Sequence, residues 1–337
     1  MKTIYLEKRC KRIKTMLLTT INERNLKISK KKMLKRALLS LKRGDNGELH
    51  DENQYIALIK DILASGEMVN GRNGNALTVF GSAMHFNLAD NIIPILTTKK
   101  VAWRICAKEL FWFLKGSTNN KLLQQQNVHI WDGNGSREFL DSHNLPHLAE
   151  GDLGPVYGHQ WRHFNAEYAD CNTDYTGKGI DQIQYIITAL KDPVERYSRR
   201  LIMSAWNPQQ IEQMALPPCH VLAQFNVIGD ELSCSLYQRS GDVGLGVPFN
   251  IASYSLLTHI MAKHCGLIAK EFIYYLGNCH IYDDHIDELR HQAEKIPFTF
   301  PKLIIKNKYE NIEDYSLADI ELVDYNSHEA VKMAMRA

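Results

Sequence analysis

The sequence predicts an α+β fold, because strand-like and helix-like segments mix without the regular β-α-β order of a parallel sheet. Its 337 residues are 45% hydrophobic and 23% charged, which is typical of a globular protein and excludes a disordered or fibrous chain. No internal repeat is visible, and no uncharged apolar run reaches the roughly 18 residues of a membrane-spanning helix. Seven cysteines without a CxxC pair favour free thiols and predict a cytoplasmic protein.

The first 43 residues form a strongly basic arm. It carries 15 Lys or Arg and two acidic residues, whereas the rest of the chain has a net charge of −11. Three interpretations stay open: a solvated extension, a surface for nucleic acid or anionic lipid, and an organelle-targeting or nuclear-targeting peptide. A glycine-rich linker follows at residues 43–47. We therefore expect an extension and linker over residues 1–50 and one domain over residues 51–337.

Helices are predicted where apolar residues recur at helical spacing. The segments are Asn53–Ser65, Trp103–Leu114 and residues 251–265. Runs of β-branched and aromatic residues bounded by turn signals predict strands at residues 77–80, 201–206, 222–227, 232–238 and 272–276. A hairpin at residues 228–231 joins the third and fourth of these strands. The stretch from Asn134 to Asp181 is rich in Gly, Asp, His and Tyr and is expected to be mostly loop.

Cys219 is the main candidate for covalent chemistry, since it lies between a proline pair and His220. A nucleophilic thiolate needs a lowered pKa and a partly exposed position near positive charge. Arg239 ends one predicted strand and Arg199-Arg200 precede another, so a guanidinium close to the thiol would favour the thiolate and grip a phosphate. Most cysteines in proteins are instead buried and inert, and we interpret the other six cysteines of this sequence in that way.

Residues 277–285 place Cys, His and Asp close together, which raises a metal site as one interpretation. Zinc sites pair ligands from two separated places, and no second pair stands out, so the sequence disfavours metal. His280 and Tyr282 alternate along an extended run and therefore point to one face of a strand. There they would hydrogen-bond a hydroxyl group of a polar ligand.

The glycine-rich run at residues 241–246 lacks the spacing of a phosphate-binding loop. It predicts a close backbone approach to a flat ligand, with Asp242 as an acceptor. Asn250 follows, and its amide offers both a donor and an acceptor, as reading the edge of a pyrimidine requires. An N-cap at a helix start is the alternative interpretation of Asn250.

Glu109 lies inside the apolar helix Trp103–Leu114 and is a candidate buried acid with a raised pKa. An exposed position on the helix surface is the alternative. Trp131 and the aromatic run from Tyr157 to Trp161 offer flat surfaces for a heteroaromatic ligand, although core packing is the usual role of such residues.

Several long motifs, in order along the chain, resemble the thymidylate synthase family. They are GDLGPVYG at residues 151–158, LPPCH at 216–220, LSCSLYQRSGD at 232–242 and LGVPFNIASY at 245–254. The resemblance covers about residues 55–337, and the insertion at residues 134–174 is similar to the eukaryotic form of the family. It implies a large twisted mixed β-sheet flanked by helices, in one domain, with the sheets of two subunits packed back to back in a homodimer.

The resemblance also implies an activity, the reductive methylation of dUMP by 5,10-methylenetetrahydrofolate, which gives dTMP and dihydrofolate without a metal. A dUMP hydroxymethylase, in which water attacks the same intermediate, is the enzymatic alternative. Asn250 argues against a cytosine substrate, because the hydroxymethylase relative that acts on cytosine typically carries Asp at this position. A nucleic-acid-binding role of the basic arm is the alternative from another class, with RNA as a weak partner.

The site residues follow from the resemblance. Cys219 would add to carbon 6 of uracil, Asn250 would read the uracil edge, and Glu109, Tyr157 and His220 would serve proton transfer. The nucleotide would be bound by Arg72, Arg239, Ser240, Asp242, His280 and Tyr282, with Arg199 and Arg200 reaching across from the second subunit. The folate would be bound by Lys99, Ile130, Trp131, Asn134, Asp242, Leu245, Gly246, Phe249 and the closing residue Ala337.

Four places depart from the family pattern. Asn278 stands where the family usually has Asp, and Asp284 where it usually has Asn, so the two would have exchanged roles in one network. Arg336 is an unusual neighbour for the closing terminus. The segment at residues 71–76 replaces the usual Asp-Arg-Thr-Gly-Thr-Gly, and the segment before Arg199 is longer than usual.

Overall fold

The structure is a computed structural model that describes residues 50–336. The basic arm, with its three interpretations, and Ala337 lie outside the described residues. The described part contains a six-stranded sheet, a separate two-stranded sheet and helices around them. Within residues 50–336, no helix combines the length and the apolarity that a bilayer crossing requires.

The helices are short except for the first, the second and the eighth. They are α1 (Asn53–Ser65), α2 (Trp103–Leu114), α3 (Asn120–Gln124), α4 (Asp132–Gly135), α5 (Arg137–Ser142), α6 (Tyr157–His163), α7 (Gln182–Lys191), α8 (Gly246–Cys265) and α9 (Ile286–Gln292). The strands are β1 (Glu67–Gly71), β2 (Gly74–Asn87), β3 (Ile202–Ser204), β4 (His220–Ile228), β5 (Glu231–Asp242), β6 (Ile268–Tyr282), β7 (Lys302–Ile305) and β8 (Ile320–Val323).

The large sheet is mixed, with the strand order β1-β2-β6-β5-β4-β3. Only β5 and β6 pair in parallel, and the other four neighbouring pairs are antiparallel. A parallel pair needs a long crossover, and α8 supplies it here between β5 and β6. This arrangement confirms the predicted α+β class and the large mixed sheet flanked by helices.

The two faces of the large sheet differ in what covers them. Residues such as Leu236 and Tyr274 are buried on the face that α8 covers, where Tyr254 of α8 stacks on Phe272 of β6. The opposite face leaves Tyr237 and Tyr275 exposed, and these two residues are paired across β5 and β6. Side chains alternate between the faces of a strand, so the sheet has one core face and one aromatic outer face.

Both early helices have the predicted bounds, and the strands β4 and β5 contain the predicted segments and form the predicted hairpin. Four predicted bounds were wrong, and one of them is that of β2, which extends well beyond residues 77–80 at both ends. The eighth helix begins at Gly246, five residues before its predicted start. Pro248 is compatible with this start because it lies in the first turn, where backbone N–H groups make no hydrogen bond within the helix. The strand β6 is much longer than residues 272–276, and β3 is shorter than residues 201–206.

The stretch from Asn134 to Asp181 is mostly loop, as predicted, but it also contains the two short helices α5 and α6. Ser136 caps α5 by accepting a hydrogen bond from the backbone N of Phe139 (3.2 Å). Helix α6 is stabilised by packing, since its Trp161 is buried against Phe113 of α2 with ring centroids 5.3 Å apart. The polar composition of the stretch hid these two short helices.

Gly154 and Gly177 give a matched test of local packing. Both have a left-handed φ, 71° at Gly154 and 72° at Gly177. A Cβ at Gly154 would lie 2.1 Å from the carbonyl oxygen of Gln213, whereas a Cβ at Gly177 would meet no atom within 4 Å. We expect Gly177→Ala to lower the free energy of unfolding by about 1 kcal/mol through its φ alone. Gly154→Ala should cost clearly more in urea denaturation, and equal losses would contradict the packing.

Candidate active site

The candidate site lies at the edge of the large sheet where β5 and β6 end. Because β5 and β6 run in parallel, their last residues meet, and Asp242 pairs with His280. Since β4 is antiparallel to β5, its first residue meets the same edge, and the backbone N of Arg239 donates to the carbonyl of Cys219 (3.0 Å). The topology therefore brings together residues that are about sixty positions apart in sequence.

Cys219 is partly exposed, and its surroundings are held by two side chains. The Tyr157 hydroxyl accepts a hydrogen bond from the backbone N of Cys219 (2.7 Å). The Arg239 guanidinium donates to the carbonyls of Pro218 (2.8 Å) and Pro217 (2.9 Å), the two residues before Cys219. These bonds fix a cation beside the thiol.

Burial raises the pKa of the Cys219 thiol, although the charges of Arg239 and Arg72 act in the opposite direction. The expectation of a lowered pKa was therefore wrong for this structure. The physical reason is that burial destabilises the thiolate by more free energy than its attraction to the two nearby cations contributes. All six cysteines of the described residues are free thiols, and Cys219 is one of two that are not fully buried, the other being Cys171.

His220 and Asn250 form a buried pair behind Cys219. The Asn250 Nδ2 lies 2.6 Å from the His220 Nε2, and burial lowers the pKa of His220 to about 3. The imidazole is therefore neutral, and its Nε2 accepts from the amide. Asn250 is the fifth residue of α8 and Leu245 is the N-cap, so the N-cap interpretation of Asn250 was wrong.

Two buried residues that the sequence analysis missed orient the Asn250 amide. The Tyr274 hydroxyl donates to the Gln238 Oε1 (2.6 Å) and lies 3.4 Å from the Asn250 Oδ1. The Gln238 Nε2 donates to the carbonyl of Ser240 (2.8 Å), so the bonds connect α8 with the end of β5. Gln238 is only 2% exposed. A glutamine on the apolar side of an alternating strand was the signal that could have revealed it.

Glu109 is half-buried on α2, where the Trp131 indole donates to its Oε1 (2.8 Å). Burial raises the pKa of Glu109 to about 7, and the bond from Trp131 opposes this shift. The prediction of an acid with a raised pKa is confirmed. The Trp131 ring also contacts the Tyr157 ring edge-on, with centroids 6.2 Å apart, so the acid and the turn of Cys219 share an aromatic wall.

Lys99 is a buried cation whose Nζ donates to the carbonyl of Gly244. Burial lowers its pKa to about 8, against the opposing charges of Asp242 and Glu52. The Asp242 Oδ1 accepts from the backbone N of Gly244 (2.8 Å) and of Leu245 (3.2 Å), which shapes the predicted glycine-rich turn. Asp242 is thus a hydrogen-bond acceptor, as predicted, but the donors are backbone groups of its own turn and not a ligand.

Glu52 is a third residue that the sequence analysis missed. It is fully buried, and its two oxygens accept from the backbone N and the hydroxyl of Thr97 and of Thr98, all within 2.6–2.8 Å. Four donors to one carboxylate fix the loop that carries Lys99. Nothing in the sequence around Glu52 distinguishes it from an ordinary acid at a helix start.

The remaining predicted ligand-binding residues lie around these groups. The turn-and-helix start that carries Leu245, Gly246 and Phe249 contacts α2, because the Cys106 thiol donates to the carbonyl of Phe249 (3.3 Å). Asn134 is buried in α4, and its Nδ2 has no hydrogen-bond partner. Ile130 is half-buried and packs against the core beside Trp131.

His280 and Tyr282 point to the same face, as predicted, with ring centroids 5.1 Å apart. The His280 Nδ1 lies 2.9 Å from the Asn278 Oδ1, and burial lowers the pKa of His280 against the charge of Asp242. Asp284 binds another residue, Arg336, with 2.9 Å between Oδ2 and Nη2. Asn278 and Asp284 therefore have different partners, which does not support the hypothesis that they exchanged roles in one network.

The structure does not bring Arg199 and Arg200 to the site of their own chain. Both are exposed just before β3, and Ile202 pairs with Gln224 of β4. Gln224 is five residues along the strand from Cys219, or roughly 16 Å at 3.3 Å per residue. Arg72 is different: it lies exposed in the β1–β2 turn, and its charge acts on Cys219.

The described residues contain no group of three or more His, Cys, Asp or Glu arranged to hold a metal ion. The segment at residues 277–285 shows why. Cys279 is buried on one side of β6, whereas His280 and Asn278 lie on the other and bind each other.

Residues 53–337 match the family model described as thymidylate synthase. The chain is 52% identical over 289 residues to a bifunctional dihydrofolate reductase-thymidylate synthase of Paramecium tetraurelia, covering 86% of this chain and 62% of that protein. It is 51% identical to a bifunctional protein of the same description from Zea mays, with 85% and 54% covered. It is 52% identical to the thymidylate synthase of Homo sapiens, with 85% and 91% covered. The chain thus spans little more than half the length of the bifunctional relatives.

The raised pKa of Glu109 has a consequence for stability. Between its ordinary value near 4.5 and about 7, the folded protein keeps the proton and the unfolded chain has lost it, so Glu109 makes stability fall as pH rises through this range. We expect Glu109→Gln to remove that fall, so that the variant gains stability relative to the parent between pH 5 and pH 8. Urea denaturation at both values measures it. Glu138→Gln, at an exposed position, is the control and should show no such gain.

Proposed function

The chain belongs to the thymidylate synthase family over residues 53–337, and we propose that it converts dUMP to dTMP with 5,10-methylenetetrahydrofolate, releasing dihydrofolate. The observation that carries the proposal is the convergence of Cys219, Arg239, Asn250 and His280 at one edge of the sheet. At these positions the chemistry of the residues and the family resemblance agree.

Cys219 is the proposed nucleophile. Its Sγ forms a bond to carbon 6 of the uracil ring, and the electron pair of the C5–C6 double bond moves toward the carbonyl oxygen O4, which makes carbon 5 nucleophilic. The raised pKa of the thiol means that it must lose its proton during the reaction. Arg239 and Arg72 support that loss, since both charges favour the thiolate.

Asn250 is the proposed reader of the uracil edge. One N–H of its amide donates to His220, which leaves the second N–H and the Oδ1 for a ligand, apart from the long contact to Tyr274. Uracil presents an N–H beside a carbonyl and matches this pair, whereas cytosine presents an acceptor and an amino group. Because the neutral His220 accepts from the amide, the amide keeps the orientation that suits uracil.

Glu109 is the proposed centre of proton transfer. A pKa of about 7 makes both of its protonation states available near neutral pH, as an acid–base group needs. Tyr157 and His220 would support it. Tyr157 binds the backbone of Cys219 and shares the aromatic wall with Trp131, so it connects the acid to the nucleophile.

The phosphate would be bound by Arg239, Ser240 and Arg72 of the same chain and by Arg199 and Arg200 of a second subunit. Two features of the described residues support a homodimer. The arginine pair precedes Ile202, whose partner Gln224 lies roughly 16 Å along β4 from Cys219 of the same chain. The outer face of the sheet also exposes large apolar side chains such as Tyr237 (43%) and Tyr275 (44%), which a second sheet would bury.

His280 and Tyr282 are proposed to bind the ribose, and the folate would be held beside the nucleotide. The site fits a flat, polar and anionic molecule, because a buried Lys99 and the unpartnered amide of Asn134 accompany the Trp131 and Phe249 rings. When bound, the folate supplies a one-carbon unit and a hydride. Its proposed contacts are Lys99, Ile130, Trp131, Asn134, Asp242, Leu245, Gly246, Phe249 and Ala337, the last of which lies outside the described residues.

The six free thiols of the described residues support a reducing compartment, and we propose a cytoplasmic location. The nucleic-acid-binding hypothesis concerns the basic arm alone and stays a prediction.

The test is to incubate the purified full chain with dUMP and methylenetetrahydrofolate, follow dihydrofolate formation and identify the nucleotide. We expect dTMP and dihydrofolate in equal amounts, and none of either from Cys219→Ser. Cys171→Ser is the matched control, because this thiol is also partly exposed but lies outside the site. Hydroxymethyl-dUMP with tetrahydrofolate would instead establish the hydroxymethylase, and no product from folded protein would refute both enzymatic functions.

A further inference from the structure

The last described residues run across the loops that form one wall of the site. The backbone N of His328 donates to the carbonyl of Thr97 (2.8 Å), and the Ala334 carbonyl lies 2.8 Å from the His285 Nε2. Met333 lies between these two contacts, close to Gly244. A Cβ added to Gly244 would be 3.0 Å from the Met333 sulfur. This strap, residues 328–336, therefore contacts both the loop that carries Lys99 and the turn at Gly244.

Arg336 ends the strap with an ionic cluster at the end of β6. Its Nη2 lies 2.9 Å from the Asp284 Oδ2 and 3.6 Å from the Asp283 Oδ1. Its guanidinium carbon lies 5.9 Å from the centroid of the Tyr282 ring, a cation–π distance. Arg336 also approaches the β1–β2 turn, since its Nη1 is 3.5 Å from the position of a Cβ on Gly74.

The charges of this cluster are complementary. Two adjacent carboxylates meet one guanidinium, and all three side chains are a little over one-third exposed. Burial raises the pKa of Asp284, but the hydrogen bond from Arg336, the charge of the neighbouring His285 and the charge of Arg336 together outweigh it and hold the pKa below its usual value. Asp284 and Arg336 are two of the departures from the family pattern, and the structure pairs them with each other.

We propose that Arg336 is a positioning residue, which latches the strap to Asp283, Asp284 and Tyr282. The inference rests on the proposed function, in which Tyr282 binds the ribose and Lys99 the folate. Through these contacts the strap is held next to Tyr282, the proposed ribose-binding residue, and against the loop that carries Lys99. The wall on the folate side is then ordered by an ion-pair cluster, and its order depends on ionic strength.

Hydrogen exchange of the full chain tests the latch without any assay of activity. We expect the amides of residues 328–336 to exchange about threefold faster in Arg336→Ala, the size expected for a partly exposed ion pair. The double variant Asp283→Asn/Asp284→Asn should show the same change, and combining it with Arg336→Ala should add nothing further. Raising the salt from about 0.05 M to about 0.5 M should accelerate exchange in the parent but not in these variants.

Arg290→Ala is the matched control, because Arg290 forms an exposed ion pair with Asp287 on the nearby helix α9 (2.6 Å) and lies outside the strap. It should leave exchange of the strap unchanged, and Arg336→Lys should restore part of the protection. Under the proposed function, Arg336→Ala should raise the KM for the folate about threefold and change kcat less. The proposal would be overturned if exchange of the strap stayed unchanged in Arg336→Ala. It would also be overturned if the effects of Arg336→Ala and of Asp283→Asn/Asp284→Asn were additive. Failure of the enzymatic proposal would leave the exchange result interpretable.

Discussion

The site depends on the parallel pairing of β5 with β6. That one parallel pair places the last residues of two long strands side by side, and the antiparallel neighbour β4 adds its first residue at the same edge. The helix α8 is the crossover that the pairing requires, and it carries Asn250 into the site at its first turns. The Cys219 thiol, the Arg239 cation and the Asn250 amide are therefore positioned by the backbone of the sheet and its crossover, with the loops arranged around them.

Burial is the second constraint, and it acts in the same sense on three titratable groups of the site. It favours the neutral forms of Cys219, Glu109 and His220, although their chemistry differs. The site thus combines these neutral groups with the positive charges of Arg239, Arg72 and Lys99. Such a site suits the proposed anionic substrate, since its phosphate would pair with the arginines while the uncharged ring enters the buried part. It also explains why the Asn250–His220 pair holds one orientation, because a neutral imidazole accepts a hydrogen bond that an imidazolium could not.

The sequence predicted what local chemistry determines. The helix stop at Gly66, the hairpin after Ile228, the acid among apolar residues at Glu109 and the shared face of His280 and Tyr282 all depend on spacing within a few residues. The roles of the site residues came from the resemblance to a family and are proposals for this chain. What sequence could not predict depends on contacts between distant residues. Glu52 meets Thr97 and Thr98 only in the fold, and the pKa of Cys219 follows from a balance between burial and charge.

In the proposed homodimer, one site combines Cys219 of one chain with the arginine pair of the other. This arrangement can be tested by mixing subunits of Cys219→Ser with subunits of Arg199→Gln/Arg200→Gln, because each variant alone lacks one half of every site. After subunit exchange, half of the dimers are mixed and each has one complete site, so we expect recovery of about a quarter of the parent activity. If activity stays absent although mixed dimers form, each chain supplies its own arginines, and the shared site is wrong.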